Sequence, residues 1–243
     1  MAYDQLERPL SRAARLDHEL READAKTIIR RAREEFGDKL AIVSSFGAES
    51  AVLLHLAAQV DPAIPVLFLD TGMQFGQTLD YRKQLASRLG LTDVRDLRPR
   101  FQDLATQDPD SNLWRRDTDA CCHIRKVIPL DLALEGFEGW ITGRKRFQAS
   151  TRAALPAVEM DVDGKIKVNP LASWSRDRIE AEFESRGLPR HPLEADGFLS
   201  VGCMPCTDRV APGQDIRSGR RAGLNKTECG IHMSAASRNS SPI

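Results

Sequence analysis

The 243-residue sequence contains no long run of apolar residues and no excess charge of either sign, since 35 Lys and Arg residues balance 35 Asp and Glu residues. A membrane-spanning helix needs about 18 or more consecutive apolar residues, so we expect none. The first residues also lack the basic segment and apolar run of a secretory signal. We therefore expect a cytoplasmic protein without membrane association, and the zero net charge argues against a broad nucleic-acid-binding surface.

Cysteine is scarce, and the five cysteines are an odd number that cannot all pair within one chain. In a reducing compartment a disulfide framework is not expected, which favours metal binding or catalysis. Four of them form two close pairs, Cys121 with Cys122 and Cys203 with Cys206, and the fifth, Cys229, stands alone. We interpret the two pairs as metal ligands and Cys229 as a reagent.

The spacing within the pairs favours an iron–sulfur cluster over zinc, although four thiolates suit either. Sulfurs around one zinc ion lie only about 3.8 Å apart, whereas adjacent helical residues such as Cys121 and Cys122 point about 100° apart around the axis. A [4Fe–4S] cluster presents its irons farther apart. Two alternatives stay open: cysteines that only fill the core, and a Cys-x-x-Cys redox pair, although the residues around Cys203 do not lead from a strand into a helix.

Short apolar stretches alternate with amphipathic ones, a pattern that predicts an α/β fold with a parallel twisted sheet and flanking helices. The predicted strands cover residues 40–43, 65–69, 92–95 and 140–142. The predicted helices cover residues 13–36, 51–58, 77–89 and 111–134. Farther along, Asp163-Gly164 predicts a hairpin turn, and Ser175 is expected to cap a helix that stops at Gly187.

The first two predicted strands end in residues that suit a ligand crevice. The first is followed by the small-residue turn Ser45-Phe46-Gly47-Ala48-Glu49-Ser50 and a helix, an order that directs backbone N–H groups at an anion. The second ends at Asp70-Thr71. Ligands of parallel sheets collect beyond the carboxyl ends of the strands, so we predict a phosphate site there. The simpler alternatives are a turn that serves packing alone and an Asp70 that only caps a helix.

Cys229 has Lys226 three positions before it and His232 three positions after it. Cationic neighbours lower a thiol's pKa, which suits a nucleophile, whereas the alternative is an incidental exposed thiol. The run Arg144-Lys145-Arg146 is typical of a solvated surface, although it could also serve a small anion.

Together these motifs resemble the assimilatory adenosine 5′-phosphosulfate reductases, within the wider phosphosulfate reductase and PP-loop family. The segments that carry the resemblance are the turn at 44–49, Leu69-Asp70-Thr71-Gly72, Cys121-Cys122-His123-Ile124-Arg125-Lys126, Gly143-Arg144-Lys145-Arg146-Phe147-Gln148, Cys203-Met204-Pro205-Cys206, and Glu228-Cys229-Gly230-Ile231-His232. Both cysteine pairs are present, which implies the iron–sulfur branch of that family.

The resemblance implies an enzyme of sulfate assimilation and cysteine biosynthesis. Its expected reaction is the reduction of adenosine 5′-phosphosulfate to sulfite and AMP by thioredoxin or glutaredoxin, through an S-sulfocysteine on Cys229. The expected cofactor is a [4Fe–4S] cluster on Cys121, Cys122, Cys203 and Cys206, which would position Lys126 and would not pass electrons.

Nine residues are candidates for binding the substrate. Ser45, Gly47, Leu69 and Gly143 would hold adenosine and phosphate, and Arg152 would join the phosphosulfate contacts by resemblance. The candidates for the sulfate end are Lys126, Arg217, Arg220 and His232, because bringing one anion against another requires cations.

The expected organisation is a flexible N-terminus over 1–12, a nucleotide-binding α/β domain with the iron–sulfur site over 13–209, a mobile catalytic arm over 210–233, and a disordered tail over 234–243. Three other functions stay open: a reductase of 3′-phosphoadenosine 5′-phosphosulfate, an ATP pyrophosphatase that modifies tRNA, and a zinc-containing module without catalysis. The oligomeric state is open as well, and a homo-oligomer is compatible with the sequence.

Overall fold

The computed structural model describes residues 2–148, 152–211, 213–220 and 231, with side chains from residue 9 onward. The helices are α1 (Ala2–Leu20), α2 (Ala25–Phe36), α3 (Ser50–Ala58), α4 (Gly76–Leu89), α5 (Phe101–Gln107), α6 (Leu113–Arg116), α7 (Thr118–Cys122), α8 (Ile128–Leu134) and α9 (Arg176–Arg186). The strands are β1 (Leu40–Ser44), β2 (Val66–Leu69), β3 (Val94–Leu97), β4 (Gly139–Ile141), β5 (Val158–Met160) and β6 (Ile166–Val168).

The six strands form one sheet in the order β3-β2-β1-β4-β6-β5. All neighbouring strands run parallel except β5, which is antiparallel to β6. The central strands β1, β2 and β4 are buried along their whole length, as expected when helices cover both faces of a parallel sheet. The predicted α/β fold with a parallel sheet is confirmed.

The hydrophobic core lies on both faces of this sheet. Successive residues of β1 point to opposite faces, so Ile42 packs in one cluster while Ala41 and Val43 pack in the other. Helices α2, α3 and α9 contribute to the first cluster, and α8 contributes Leu130 and Leu134 to the second. Among the described residues, no helix combines the length and the apolar character that crossing a membrane requires.

The first helical region differs from its prediction. The apolar periodicity predicted one helix over 13–36, but the structure has two, and α1 begins at Ala2 within the segment predicted to be flexible. The break comes from Asp24, whose backbone is extended and whose side chain accepts a hydrogen bond of 3.1 Å from the Thr27 N–H at the start of α2. The one-helix prediction was wrong because the apolar spacing continues across this cap.

The segment with the first cysteine pair is also more broken than predicted. In place of one helix over 111–134, the chain forms α6, α7, a π-helical turn at His123–Val127, and α8. Asp117 caps α7 by accepting from two backbone N–H groups at 2.9 Å. Pro129 has no N–H to donate, and the change from π-helix to α8 lies beside it. The two cysteines are therefore the last residues of the short helix α7.

Local signals farther along were predicted correctly. The Asp163-Gly164 turn joins the antiparallel pair β5 and β6, and Gly164 has a φ of +78°. Ser175 caps α9 by accepting a 3.2 Å hydrogen bond from the Arg178 N–H, and Gly187 ends that helix in the left-handed conformation. These caps and turns depend on neighbours in sequence, which explains the agreement.

Candidate active site

A cavity of about 220 Å³ opens at the carboxyl ends of β1, β2 and β4. One wall comes from the turn after β1, the end of β2 at Leu69, and the loop after β4 that begins at Gly143. The other wall comes from residues 199–203 and from Ile216 with Arg217. The predicted crevice therefore includes the ends of both strands, but Asp70 and Thr71 do not line it.

The cavity brings together most of the predicted substrate-binding residues. Those that line it are Ser45, Gly47, Leu69, Lys126, Gly143, Arg152, Arg217 and Arg220. Cys229 and His232 lie outside the described residues. Ile231, which stands between them in sequence, is buried and lines the cavity.

The turn after β1 is held in an unusual conformation. Phe46 has a φ of +47°, which is uncommon outside glycine, and its side chain is fully buried with its ring edge-on to Phe68 at 5.5 Å. The Phe46 N–H also donates to Ser44 Oγ at 3.1 Å. A Cβ on Gly47 would come within 3.1 Å of the Val201 carbonyl oxygen, so glycine allows the turn to approach the loop across the cavity.

A buried ion pair supports the wall formed after β4. Lys145 Nζ donates to Glu49 Oε2 at 2.6 Å, and Gln148 Nε2 donates to the same oxygen at 2.8 Å. Gln148 Oε1 in turn accepts a 2.6 Å hydrogen bond from the Arg152 guanidinium. Burial lowers the pKa of Lys145, opposed by Glu49 and reinforced by the nearby arginines Arg152 and Arg217. The network holds Arg152 at the cavity.

Of the two interpretations of Arg144-Lys145-Arg146, the solvated run does not hold for Arg144 and Lys145, which are buried. Arg144 is 8% exposed and Lys145 is 2% exposed. Arg144 forms an ion pair with Glu159 and donates to Asn169 Oδ1 at 3.1 Å. Sequence reasoning also missed Glu49 as a partner, because it lies 96 positions from Lys145 and no local pattern relates them.

The two cysteine pairs are connected through a short segment, residues 71–73, and Cys203 lies close enough to Cys121 to contribute, alongside burial, to raising its pKa. Thr71 Oγ1 lies 3.2 Å from Cys203 Sγ, and the Met204 N–H donates to the Met73 carbonyl at 2.8 Å. The Thr71 carbonyl also accepts a 2.8 Å hydrogen bond from Arg125, three positions after Cys122. Segment 71–73 therefore links both pairs.

Arg125 is held by a buried carboxylate. Its guanidinium donates to Asp108 Oδ2 at 2.6 Å, and the two side chains are 5% and 0% exposed. Burial raises the pKa of Asp108, but hydrogen bonds from Arg125 and from the Leu113 N–H outweigh it, so that the pKa is lowered overall. This ion pair fixes the residues that follow the first cysteine pair.

The surroundings of the cysteines act on thiol ionisation in two opposite directions. Cys121, Cys122 and Cys203 are buried, Cys206 is partly buried, and all four are free of disulfide bonds; burial raises the pKa of Cys121 to about 11, with Arg125 and Lys126 opposing that shift. Lys126 Nζ lies 3.9 Å from Cys122 Sγ, and such cations favour an anionic group.

Four cysteine sulfurs are the donor set that iron–sulfur clusters use. Within the described ranges, no three or more His, Cys, Asp or Glu side chains are arranged to hold one metal ion. Four soft sulfur donors in two segments, with cations beside them, fit a larger group such as an iron–sulfur cluster.

The remaining wall of the cavity belongs to the predicted arm. Within it, residues 213–220 are joined to the chain before them, since the Asp208 N–H donates to the Gly219 carbonyl at 2.7 Å and Thr207 forms a bridge with Arg220. These contacts hold Arg217 and Arg220 at the cavity.

The same architecture occurs in known proteins. Residues 39–209 match the phosphoadenosine phosphosulfate reductase domain. An adenosine 5′-phosphosulfate reductase from Mesorhizobium japonicum is 53% identical over 207 residues, covering 85% of this chain and 81% of that protein. One from a Chelativorans species is 50% identical over 220 residues, covering 90% of this chain and 89% of that protein.

A solved structure agrees with these matches. The crystal structure of phosphoadenylyl-sulfate reductase from Candida auris, a phosphate complex, is 26% identical and superposes with a TM-score of 0.68, covering 82% of this chain and 96% of that one. The sheet, the cavity at its carboxyl edge and the sequence match together show that the chain belongs to the phosphoadenosine phosphosulfate reductase family.

Proposed function

We propose that this protein reduces adenosine 5′-phosphosulfate to sulfite and AMP, with thioredoxin or glutaredoxin as the reductant. The observation that carries this proposal is the convergence of Lys126, Arg152, Arg217 and Arg220 on one cavity at the carboxyl edge of the sheet. The relatives from Mesorhizobium and Chelativorans, which bear this activity in their names, support the choice of substrate.

The cations meet the main electrostatic demand of the reaction. A thiolate must approach a substrate that already carries several negative charges. At about 4 Å, two like charges repel by about 4 kcal/mol in an effective dielectric of about 20. Cations placed around the cavity offset that repulsion, and they do so without reorganising as the reaction proceeds.

The proposed chemistry consists of three successive displacements at sulfur. The Cys229 thiolate attacks the sulfur of the sulfate group, the bond from that sulfur to the phosphate oxygen breaks, and AMP leaves with the electron pair. The enzyme then carries an S-sulfonate on Cys229. A reductant thiolate attacks the Cys229 sulfur, sulfite leaves with the electron pair, and the second reductant thiol displaces Cys229 to form a disulfide.

The position of Ile231 supports Cys229 as the nucleophile. Ile231 is buried in the same cluster as Val43 and Leu69 and lines the cavity. Two residues of chain span at most about 7 Å, so a thiol two positions earlier is within reach of the same space. We propose that His232 joins the cations at the sulfate end.

Cys121, Cys122, Cys203 and Cys206 would hold the proposed [4Fe–4S] cluster, which would supply fixed charge and a rigid attachment for both segments. Lys126, one helical turn after Cys122, lines the cavity. Attachment of Cys122 to the cluster would thereby hold the Lys126 ammonium group toward the sulfate group of the substrate.

The decisive experiment compares Cys229→Ser with Cys203→Ser. We expect Cys229→Ser to retain iron and the binding of ADP, an unreactive relative of the substrate, yet to form no sulfite, because a hydroxyl is a poor nucleophile at neutral pH. Cys203→Ser should instead lose iron. Sulfite formation at the normal rate by Cys229→Ser would show that this thiol is not the nucleophile.

Two measurements separate the proposal from its alternatives. Comparing kcat/KM for adenosine 5′-phosphosulfate and its 3′-phosphorylated form identifies the substrate, and a preference for the latter would contradict the proposal. Protein purified without oxygen should be brown and contain iron, whereas a zinc protein would be colourless.

A further inference from the structure

A loop and a segment that both line the cavity are joined through their main chains. We name residues 201–208 the cysteine loop and residues 213–220 the arginine segment. The Asp208 N–H donates to the Gly219 carbonyl at 2.7 Å. A Cβ on Gly219 would overlap the Asp208 carbonyl oxygen, so this approach requires glycine.

Thr207 connects this contact to the second cysteine pair. Its backbone forms an antiparallel bridge with Arg220. Its buried hydroxyl donates to the Cys203 carbonyl at 2.8 Å and accepts from the Gly202 N–H at 3.2 Å. The conformation of the cysteine loop therefore determines the position of the Arg220 backbone, from which its side chain extends.

The side chain of Arg220 then returns across the cysteine loop. Its guanidinium donates to the Val201 carbonyl at 3.0 Å. The same group lies directly over Gly202, because a Cβ added there would overlap the guanidinium nitrogens and lie 2.6 Å from the central carbon Cζ. The space that a side chain at position 202 would fill is thus occupied by the guanidinium.

We propose that Gly202 is a positioning residue for Arg220, and that it sets where this cation meets the sulfonate end of the substrate. This inference rests on the proposed function. Because Gly202 has no side chain, the Arg220 guanidinium can lie against the main chain. There the Val201 carbonyl orients it toward the cavity, which both Arg220 and Gly202 line.

The chain offers a selective way to disturb this arrangement. Gly202 is not among the glycines with positive φ, so its backbone accepts alanine without strain. The atoms that a methyl group would displace belong to the flexible end of a long side chain rather than to the backbone. Gly202→Ala should therefore move the guanidinium while leaving the fold intact.

The test uses ADP and AMP as probes, since ADP carries a second phosphate where the substrate carries sulfate. Isothermal titration should show that Gly202→Ala binds ADP about 10-fold or more weakly than the unmutated protein, the scale of one lost charge-assisted contact. Its affinity for AMP should change by less than about 2-fold. The matched control is Gly76→Ala at the start of α4, where an added Cβ meets nothing within 4 Å.

A double variant separates positioning from a general structural effect. If Gly202 acts through Arg220, then adding Gly202→Ala to Arg220→Ala should weaken ADP binding by less than about 2-fold further. Iron content and the visible spectrum of Gly202→Ala should match those of the unmutated protein.

Several results would overturn the inference: unchanged ADP affinity, equal losses for ADP and AMP, effects that add to those of Arg220→Ala, or a loss of iron in Gly202→Ala. Failure of the proposed function is distinguishable, because it would appear as unmutated protein that binds ADP more tightly than AMP but does not reduce adenosine 5′-phosphosulfate.

Discussion

Replacing Arg125 with methionine should be among the most damaging single changes outside the cavity. The guanidinium donates to Asp108 at 2.6 Å and to the Thr71 carbonyl at 2.8 Å, and neither side chain of the ion pair is more than 5% exposed. Methionine keeps most of the length and apolar character of the side chain, so the loss of charge and hydrogen bonds dominates. The variant leaves the Asp108 carboxylate buried without its cation.

The expected loss in the free energy of unfolding follows from the burial of this ion pair. Removing one partner of a buried ion pair typically costs about 3–5 kcal/mol, because the other charge stays buried without compensation. The Thr71 carbonyl also loses a donor, which adds about 1 kcal/mol or more when no water replaces it. We therefore expect Arg125→Met to lower the free energy of unfolding by about 4–6 kcal/mol.

The assay is equilibrium urea unfolding under anaerobic conditions, followed by circular dichroism and accompanied by iron analysis. Because Thr71 also contacts Cys203, we expect less iron per chain in Arg125→Met than in unmutated protein. The control is Arg100→Met, since Arg100 pairs with Asp103 at 3.0 Å on the surface, where it is 59% exposed. That change should cost less than about 1 kcal/mol.

A double variant tests whether the unpaired buried charge causes the loss of stability. In Asp108→Leu/Arg125→Met no charge is left buried, so its loss of stability should be well below the sum of the two single losses. The reasoning would be refuted if Arg125→Met cost no more than Arg100→Met, or if the two single losses simply added.

Two further predictions concern the packing of α4 and of β4. His191 is buried against α4, where its Nε2 lies 3.0 Å from Thr78 Oγ1. Burial lowers the pKa of His191 from 6.5 to about 4, so its neutral form contributes stability that is present at neutral pH and lost as the pH falls through that range. Lowering the pH from about 7 to about 5 should therefore destabilise the protein by about 2 kcal/mol more than it destabilises His191→Gln, and equal urea midpoint shifts would contradict this. On β4, an added Cβ at Gly139 would lie 2.8 Å from the Phe36 ring, whereas one at Gly136 meets nothing within 4 Å. Urea unfolding should show a loss of about 1–3 kcal/mol for Gly139→Ala and little change for Gly136→Ala, and equal values would show that the ring moves freely.

The sequence predicted those parts of the fold that depend on neighbours along the chain. Buried strands such as β1 and β2 consist of consecutive apolar residues, and the Ser175 cap with its terminating Gly187 is a signal within one helix. Periodicity failed where a local cap interrupts an otherwise continuous pattern. At Asp24 the apolar stripe resumes in the next helix, so spacing alone could not reveal the break.

The positions of several site residues were predictable from the expected reaction and from the family resemblance. Lys126, Arg217 and Arg220 were candidates because the reaction requires cations, Arg152 was a candidate by resemblance, and all four line the cavity. The state of Lys145 was not predictable, because its burial depends on Glu49, and the two meet only after β1 and β4 pair in the sheet. A charged run that looks solvated in sequence becomes a buried support once its carboxylates come from distant segments.

Contacts between distant segments also bring the cysteines and the cations together. Both cysteine pairs contact segment 71–73, directly or through Arg125, and this segment follows β2, whose last residue, Leu69, lines the cavity. Each pair also lies next to a cation that lines the cavity: Lys126 follows the first pair on the same helical path, and Arg220 lies across the cysteine loop of the second. A metal group bound by the four sulfurs would therefore also fix two cations that line the cavity. A metal group could then influence sulfonate binding without exchanging an electron, and loss of the metal should weaken ADP binding more than AMP binding.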